Sequence, residues 1–184
     1  VRSRRQRQMC IRDRGTCLLV GGPVLAFVVR PQAGAVLALY AVLTLGYSTR
    51  LKHVPLLDLA IVSSGFVLRA MAGAAATMTP MSNWFVLCVT FGSFFIVTGK
   101  RFAELLELGE SAGDTRASLK SYTLDFLRQL LVISCTATVL SYCLWAFENA
   151  TNNDEIIPLH GVSIVPMVLA LFRYLMVLEK GGGG

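Results

Sequence analysis

Hydrophobic residues along the chain are grouped into six blocks, separated by short polar segments and one long polar segment. The blocks cover roughly residues 15–29, 33–48, 54–78, 82–99, 126–147 and 159–178. A helix crosses the hydrocarbon core of a bilayer with about 20 apolar residues, within a range of about 17–25. The third, fifth and sixth blocks fit this length, the second and fourth are near its lower limit, and the first is the weakest. The pattern predicts an all-α fold, a polytopic bundle of about six transmembrane helices.

A soluble helix bundle is the rival interpretation, and it would show polar faces at the helical period. The fifth block has Arg128 and Gln129 at its start and is otherwise apolar or small, with serine and threonine hydroxyls that helices in lipid tolerate. Four aromatic residues fall near block ends, as in an interfacial belt: Trp84, Tyr122, Tyr142 and Trp145. These features favour the membrane interpretation.

The loops between the blocks alternate in charge. The loops after the second and fourth blocks carry six bases, Arg50, Lys52, Lys100, Arg101, Arg116 and Lys120. The loop after the third block is uncharged, and the loop after the fifth holds acids but no lysine or arginine. Positive loops stay on the cytoplasmic side, so we expect a multi-pass protein of the plasma membrane with its basic face, and any site there, toward the cytoplasm.

The net charge of +6 is mostly local, because residues 1–14 hold six arginines against Asp13 and carry +5, leaving +1 for the other 170 residues. This basic arm has no helical period and resembles sequencing-adapter read-through, so we interpret it as non-native. We divide the chain into this arm, a partial transmembrane domain over 15–178 and a tail over 179–184, and we expect a fragment. Nucleic acid is not an expected partner. The five cysteines form no C-x-x-C pair, and no metal-ligand spacing is present.

The long polar loop starts with a helical pattern, in which Lys100 and Glu104 lie one turn apart. We expect the fourth helix to continue past the membrane to about Glu107. A turn at 109–113 and a short surface helix from about Arg116 should follow.

Two charged residues lie inside the third block. Pro55 suits the first turn of a helix, which would place Asp58 near its start and Arg69 eleven residues later on the same face, about 16 Å along the axis. Because Gly65 and Gly73 flank Arg69, we expect this face to turn into the bundle. An intramembrane charge suggests function. The alternatives are that Arg69 pairs with a neighbouring acid or reaches the interface, and that Asp58 is a helix N-terminal acid.

The basic loops permit a second hypothesis, a phosphate site. Arginine offers a planar fork and lysine a compact charge, and together they neutralise diphosphate groups. Magnesium would need carboxylates near these bases, and Asp58, Glu104 and Glu107 are candidates. Topology alone also explains the bases.

The chain resembles the UbiA superfamily of membrane prenyltransferases over about residues 17–178. Four pieces carry the resemblance: Tyr47-Ser48-x-x-Leu51-Lys52, Asp58, the run from Phe66 to Gly73, and Gly99-Lys100-Arg101-Phe102-Ala103-Glu104-Leu105. Within the superfamily, the likeness is closest to the transferases that move phosphoribose from phosphoribosyl diphosphate to a polyprenyl phosphate lipid for cell-wall arabinan precursors. Ser82-Asn83-Trp84-Phe85 and Ser118-Leu119-Lys120-Ser121-Tyr122 add to it.

The resemblance implies nine transmembrane helices around a cavity, with Mg²⁺ held by an Asn-Asp-x-x-Asp-x-x-x-Asp motif. The sequence lacks this motif, so its six blocks would be the family's helices three to eight, and the fragment alone should be inactive. The implied partners are phosphoribosyl diphosphate, a polyprenyl phosphate and the membrane, and a homo-oligomer is left open.

The candidate site residues follow from the resemblance and from the charges. For substrate or phosphate contact they are Tyr47, Lys52, Arg69, Lys100, Arg101, Lys120 and Tyr122. Asp58 and Glu104 are candidates for a metal or for orienting those bases. One alternative is a prenyltransferase that moves a prenyl group from a prenyl diphosphate to an aromatic acceptor. Another is a transporter or non-catalytic membrane subunit, although the inverted repeats typical of transporters are not visible in the sequence.

Overall fold

The computed structural model of the chain describes residues 15, 21–49, 51, 54–108, 119, 121–152 and 159–181. Within these residues the chain forms six helices. They are α1 (Pro31–Thr49), α2 (Leu57–Thr77), α3 (Asn83–Leu108), α4 (Leu124–Asn152), α5 (Leu159–Val162) and α6 (Ile164–Glu179). Residues 21–29 of the first apolar block are also helical. The all-α prediction is confirmed.

Five helical segments of the described chain are long and apolar enough to cross a membrane: α1, α2, α3, α4 and the stretch Leu159–Glu179. They coincide with the second to sixth apolar blocks, which confirms the multi-pass prediction for that part of the chain. Hydropathy is informative here because lipid offers no hydrogen bonds, so a spanning backbone must satisfy its own polar groups as a helix.

Helix α3 is the centre of the arrangement. It packs against α2, α4 and α6, and α1 packs against the outer side of α2. The buried core lies where α2, α3, α4 and α6 meet, and its large residues are Leu59, Phe95, Phe102, Leu119, Leu127, Leu131 and Leu178. Most serine and threonine hydroxyls in α3 and α4 donate to the carbonyl one turn earlier, as Thr90, Ser134 and Thr138 do. These hydroxyls are therefore satisfied within their own helices.

Two details of the helix ends matter for the site. Helix α3 continues to Leu108, which confirms the predicted extension beyond the fourth apolar block. Helix α2 begins at Leu57, so Pro55 precedes the helix instead of lying in its first turn. The cause is Leu56, whose φ of 65° and ψ of −41° lie outside the helical region and break the helical path before α2 starts. The surface helix predicted from about Arg116 falls largely outside the described residues, and α4 begins at Leu124.

The polar face predicted for α2 is only partly directed into the bundle. Asp58 and Gly65 are buried, as expected, whereas Arg69 and Gly73 are exposed and line open cavities, Arg69 with residues of α1 and Gly73 with residues of α3 and α4. Gly65 lies against the ring of Tyr40 on α1, whereas a side chain added at Gly73 would meet no atom within 4 Å. The second half of this face therefore borders cavities between helices instead of packing closely against them.

Close packing around Gly99 of α3 generates a stability prediction. A Cβ atom there would lie 2.7 Å from the hydroxyl oxygen of Tyr174 and 3.0 Å from a methyl carbon of Leu178. Because both neighbours belong to α6, we expect Gly99→Val to force α3 and α6 apart and to lower the free energy of unfolding by about 1–3 kcal/mol. Unfolding in mixed micelles with increasing sodium dodecyl sulfate measures this.

Gly73→Val is the matched control, since it makes the same exchange at an open position of a neighbouring helix. It should change the unfolding free energy clearly less than Gly99→Val. Equal effects of the two substitutions would show that the α3–α6 contact is not the cause.

Candidate functional site

A buried carboxylate joins the start of α2 to its neighbours. Asp58 is the second residue of α2 and is 0% exposed. One carboxylate oxygen accepts hydrogen bonds from the Leu59 N–H at 2.9 Å and from the Tyr122 hydroxyl at 2.7 Å. The other lies 3.3 Å from Nε of Arg101 on α3. A negative charge at a helix N-terminus also interacts favourably with the helix dipole. Asp58 thus connects α2, α3 and the segment before α4.

Arg101 lies between two acids. Its side chain is 6% exposed, and Nη1 donates to both carboxylate oxygens of Glu104, at 3.1 and 3.0 Å, one turn along α3. The guanidinium therefore bridges the Asp58 and Glu104 carboxylates. We call Asp58, Arg101, Glu104 and Tyr122 the buried polar network. Its two acids and one base give it a charge of about −1 when all three are ionised.

The hydroxyl of Tyr122 both donates and accepts a hydrogen bond. It donates to Asp58 and accepts from the backbone N–H of Leu56 at 2.6 Å. Burial raises the pKa of this phenol, the Asp58 carboxylate raises it further, and the Leu56 N–H opposes this to a smaller extent. Tyr122 therefore keeps its proton at neutral pH and remains a donor. Its ring stacks on Phe126 with the centroids 6.2 Å apart.

The segment before α2 is held in an unusual turn. Leu56 has a φ of 65°, a conformation that costs a residue other than glycine on the order of 1–3 kcal/mol. Hydrogen bonds from Val54 N–H to Leu51 O and from Leu57 N–H to Pro55 O shape the turn around it. The hydrogen bond from Leu56 N–H to Tyr122 helps to offset this cost. The turn and the segment before α4 are thus joined directly.

Arg69 lies apart from the buried polar network, between α1 and α2. Its Nη2 donates to the Tyr40 hydroxyl at 3.1 Å, and its guanidinium carbon is 5.1 Å from the ring centre of Tyr40 and 4.9 Å from that of Phe66. A cavity of about 130 Å³ beside it is lined by Tyr40, Leu43, Thr44, Tyr47, Ile61, Val62, Gly65 and Arg69. Among the described residues, its hydrogen bond goes to a phenol and not to the acid that one hypothesis paired with it.

The predicted site residues fall into four groups. Asp58, Arg101, Glu104 and Tyr122 form the buried polar network, whereas Tyr47 and Arg69 line the cavity on α1 and α2. Lys100 is exposed, next to Arg101 on α3. Lys52 and Lys120 lie outside the described residues. The sequence did not indicate the Leu56 amide, and Tyr40 was missed although it is a polar aromatic within an otherwise apolar block.

The described carboxylates do not fit a magnesium site by themselves. No group of three or more histidine, cysteine, aspartate or glutamate side chains is placed to hold a metal within the described ranges. The guanidinium of Arg101 lies between Asp58 and Glu104, where a shared cation would have to be. The sequence predicts two roles for Asp58 and Glu104, metal binding and the orientation of a nearby base. Their contacts with Arg101 fit the second role.

Comparison with known proteins gives relatives for most of the chain. No family model matches it. It is 42% identical over 149 residues to decaprenyl-phosphate phosphoribosyltransferase of Corynebacterium glutamicum, an alignment that covers 81% of this chain and 45% of that protein. The proteins of the same name from Mycolicibacterium smegmatis and Mycobacterium tuberculosis are each 38% identical, over 173 and 159 residues. Those alignments cover 91% and 86% of this chain, and 54% and 52% of the two relatives.

The chain is therefore a homologue of proteins named decaprenyl-phosphate phosphoribosyltransferase, and this is consistent with the UbiA-like resemblance of its motifs. It spans about half the length of the curated relatives it matches. The homology extends over the buried polar network and the cavity alike, because it includes most of this chain.

The buried ion pair generates a second stability prediction. Asp58→Ala removes the acid and leaves the Arg101 guanidinium buried with less compensation, which typically costs about 3–5 kcal/mol. We expect a loss of unfolding free energy of this size in the same micelle titration.

Asp125→Ala is the control, because it also removes an acid that pairs with an arginine. Asp125 lies 3.4 Å from Arg128, but its side chain is 88% exposed, so its loss should cost no more than about 1 kcal/mol. A loss at position 58 as small as that at position 125 would contradict the assignment of Asp58 as a buried partner.

Proposed function

We propose that this homologue of the decaprenyl-phosphate phosphoribosyltransferases belongs to an enzyme that transfers phosphoribose from phosphoribosyl diphosphate to a polyprenyl phosphate in the membrane. The observation that carries the proposal is the buried polar network. It occurs in a chain with this homology, at the end of the bundle next to the basic loops. Because the chain covers about half of its relatives, the activity is proposed for the whole protein that contains it.

Each part of the network has a lysine within six residues of it in the sequence. Lys100 precedes Arg101, Lys120 lies two residues before Tyr122, and Lys52 lies six residues before Asp58. We assign phosphate contact to these three lysines, since an ammonium is a compact charge that binds phosphate oxygens from a flexible stem. The buried network then fixes the end of α3, which carries Lys100.

Arg101 has a different role in this proposal from the direct phosphate contact predicted from the sequence. Its side chain is buried, and its Nε and Nη1 donors face Asp58 and Glu104. Arg101 therefore acts through the backbone of α3, by fixing the orientation of the helix end that carries Lys100. It is a positioning residue for the phosphate site.

The chemistry needs stabilisation of a leaving group. An oxygen of the polyprenyl phosphate attacks C1 of the ribose, the bond from C1 to the diphosphate oxygen breaks, and diphosphate leaves with the electron pair. Fixed cations lower the energy of this step because negative charge grows on the departing oxygen. The lipid tail would lie along the apolar helices, with its phosphate at the membrane surface. A dependence on magnesium is proposed from the family likeness alone. We assign Asp58 and Glu104 to the orientation of Arg101 and not to a metal.

The activity test uses the longest open reading frame that contains this chain, expressed in membranes with radiolabelled phosphoribosyl diphosphate and a polyprenyl phosphate. We expect a labelled lipid product. Arg101→Ala should lower turnover by about 100-fold, because a displacement of reacting groups by about 1 Å has an effect of that size. A thermal unfolding measurement on the same variant separates misplacement from loss of the fold.

Arg128→Ala is the matched control for this test. Arg128 is an exposed arginine at the start of α4 that pairs with Asp125 and Glu179. It should retain activity within about threefold of wild type. Wild-type turnover by a folded Arg101→Ala variant would rule out the positioning role. A product formed only from prenyl diphosphate and an aromatic acceptor, or solute flux without a lipid product, would replace the proposed function.

The proposal also places the network on the cytoplasmic side, which the charges of the loops support. Single-cysteine variants at two exposed positions, Ser121 and Thr79, test this in a cysteine-free background. A maleimide that cannot cross the membrane should label Ser121→Cys only in inside-out vesicles, and Thr79→Cys only in right-side-out vesicles. The reverse pattern would contradict the proposed orientation.

A further inference from the structure

The guanidinium of Arg69 is turned back along α2 toward the start of that helix. A Cβ atom at Gly65, one turn before Arg69, would lie 3.9 Å from Nη2 of Arg69. This direction is the usual one, because side chains of a helix lean toward its N-terminus. Gly65 is seven residues beyond Asp58. The charge therefore lies about 10 Å along the axis from the level of Asp58, at about 1.5 Å per residue.

The cavity beside Arg69 extends in the same direction. Its lining includes Ile61, four residues after the start of α2, and Tyr47, two residues before the end of α1. Asp58 and Arg69 also lie on one face of α2, because eleven residues make about three helical turns. The cavity thus leads from the Arg69 guanidinium toward the end of the bundle where α1 ends and α2 begins, which is the end that carries the buried polar network.

The contacts of Arg69 suit the binding of an anion. The rings of Tyr40 and Phe66 lie 5.1 and 4.9 Å from its guanidinium carbon. Within the described part of the chain it donates to the Tyr40 hydroxyl, and a guanidinium has five N–H donors in all. Two parallel N–H groups of an arginine can bind two oxygens of one phosphate. The cavity of about 130 Å³ has room for such a group, since about 10–15 Å³ already holds one water molecule.

The two substrates of the proposed reaction carry phosphate in three places. The phosphate of the lipid belongs at the membrane surface, and the diphosphate on C1 of the ribose is assigned to lysines such as Lys100. The monophosphate on C5 of the ribose remains. Seven bonds separate its phosphorus from the nearer phosphorus of the diphosphate, a span of up to about 8 Å at about 1.2 Å per bond. This span is close to the distance of about 10 Å between the levels of Asp58 and the Arg69 guanidinium.

The geometry points to Arg69 as the residue that binds the C5 phosphate of phosphoribosyl diphosphate, in the cavity between α1 and α2. The rings of Tyr40 and Phe66 hold its guanidinium beside that cavity. The assignment rests on the proposed function for the identity of the donor. It gives a physical reason for the selection of phosphoribose over ribose, because a sugar without the C5 phosphate would leave the cation of Arg69 without an anion.

The binding test uses the whole protein in detergent micelles and calorimetric titration with ribose 5-phosphate, which requires no turnover. Arg69→Gln should weaken binding at least about tenfold, because hydrogen bonds between ions are roughly twice as strong as neutral ones. Arg173→Gln is the matched control, since Arg173 is also an exposed arginine of a spanning segment but does not line the cavity. It should bind within about twofold of wild type. Equal affinities of the Arg69→Gln variant and wild type would overturn the proposal.

A second variant leaves the charge in place and crowds the cavity. A Cβ atom at Gly65 would lie 3.3 Å from a ring carbon of Tyr40 and 3.9 Å from Nη2 of Arg69. Gly65→Val should therefore displace both side chains and weaken the binding of ribose 5-phosphate about tenfold. Gly73→Val, at an open position of the same helix, should leave it within about twofold of wild type. Equal effects of the two substitutions would count against the cavity as the binding site.

Steady-state kinetics of the whole protein identify which substrate supplies the phosphate. Arg69→Gln should raise the KM for phosphoribosyl diphosphate at least about tenfold and leave the KM for the polyprenyl phosphate within about threefold of wild type. A rise confined to the KM for the polyprenyl phosphate would overturn the assignment to C5. If the wild-type protein makes no phosphoribosyl lipid while binding of ribose 5-phosphate still depends on Arg69, the proposed function fails and the phosphate site stands.

Discussion

The pairing of Asp58 with Arg101 connects the helices that surround the candidate site. Removing two charges from water costs several kcal/mol for each ion, and a buried pair recovers this cost only when other hydrogen bonds complete it. Here the Leu59 N–H and the Tyr122 hydroxyl complete the bonding of Asp58, and Glu104 completes that of Arg101. Each of these hydrogen bonds and ion contacts forms only within a narrow range of donor–acceptor distance. The start of α2, the end of α3 and the segment before α4 therefore have one favourable arrangement relative to one another.

Stability alone does not account for such a network. Replacement of a buried ion pair by apolar side chains of similar volume is often neutral or stabilising, since the desolvation cost disappears. Apolar side chains would make no directed hydrogen bonds, and dispersion contacts do not specify where a backbone amide must lie. The Leu56 N–H, in a turn that leucine adopts at a cost, is held by a directed bond. We interpret the network as the means by which the position of the Leu56 turn is specified.

The membrane architecture could be predicted from the sequence because lipid imposes it on each helix separately. The second to sixth apolar blocks became the five candidate spans, and the spacing of Lys100 and Glu104 correctly indicated the extension of α3. The pairing of Asp58 with Arg101 could not be predicted, since it depends on the register between α2 and α3, 43 residues apart in sequence. The positive φ of Leu56 could not be predicted either, because leucine gives no local signal for such a turn.

Within the part of the chain that the structure describes, Arg69 contacts two aromatic rings and a phenol hydroxyl instead of an acid. A charge at the centre of a spanning helix costs about 2.5–3.5 kcal/mol on insertion scales. Contacts with aromatic faces contribute on the order of 0.5–2 kcal/mol each, and Arg69 has two, from Tyr40 and Phe66, together with the bond to the Tyr40 hydroxyl. These terms are of the size needed to offset the insertion cost. Arg69 is about 16 Å deeper along α2 than Asp58, so one phosphate cannot contact it and the membrane surface together. The buried polar network at the start of α2 and the Arg69 cavity are therefore two separate elements of the bundle.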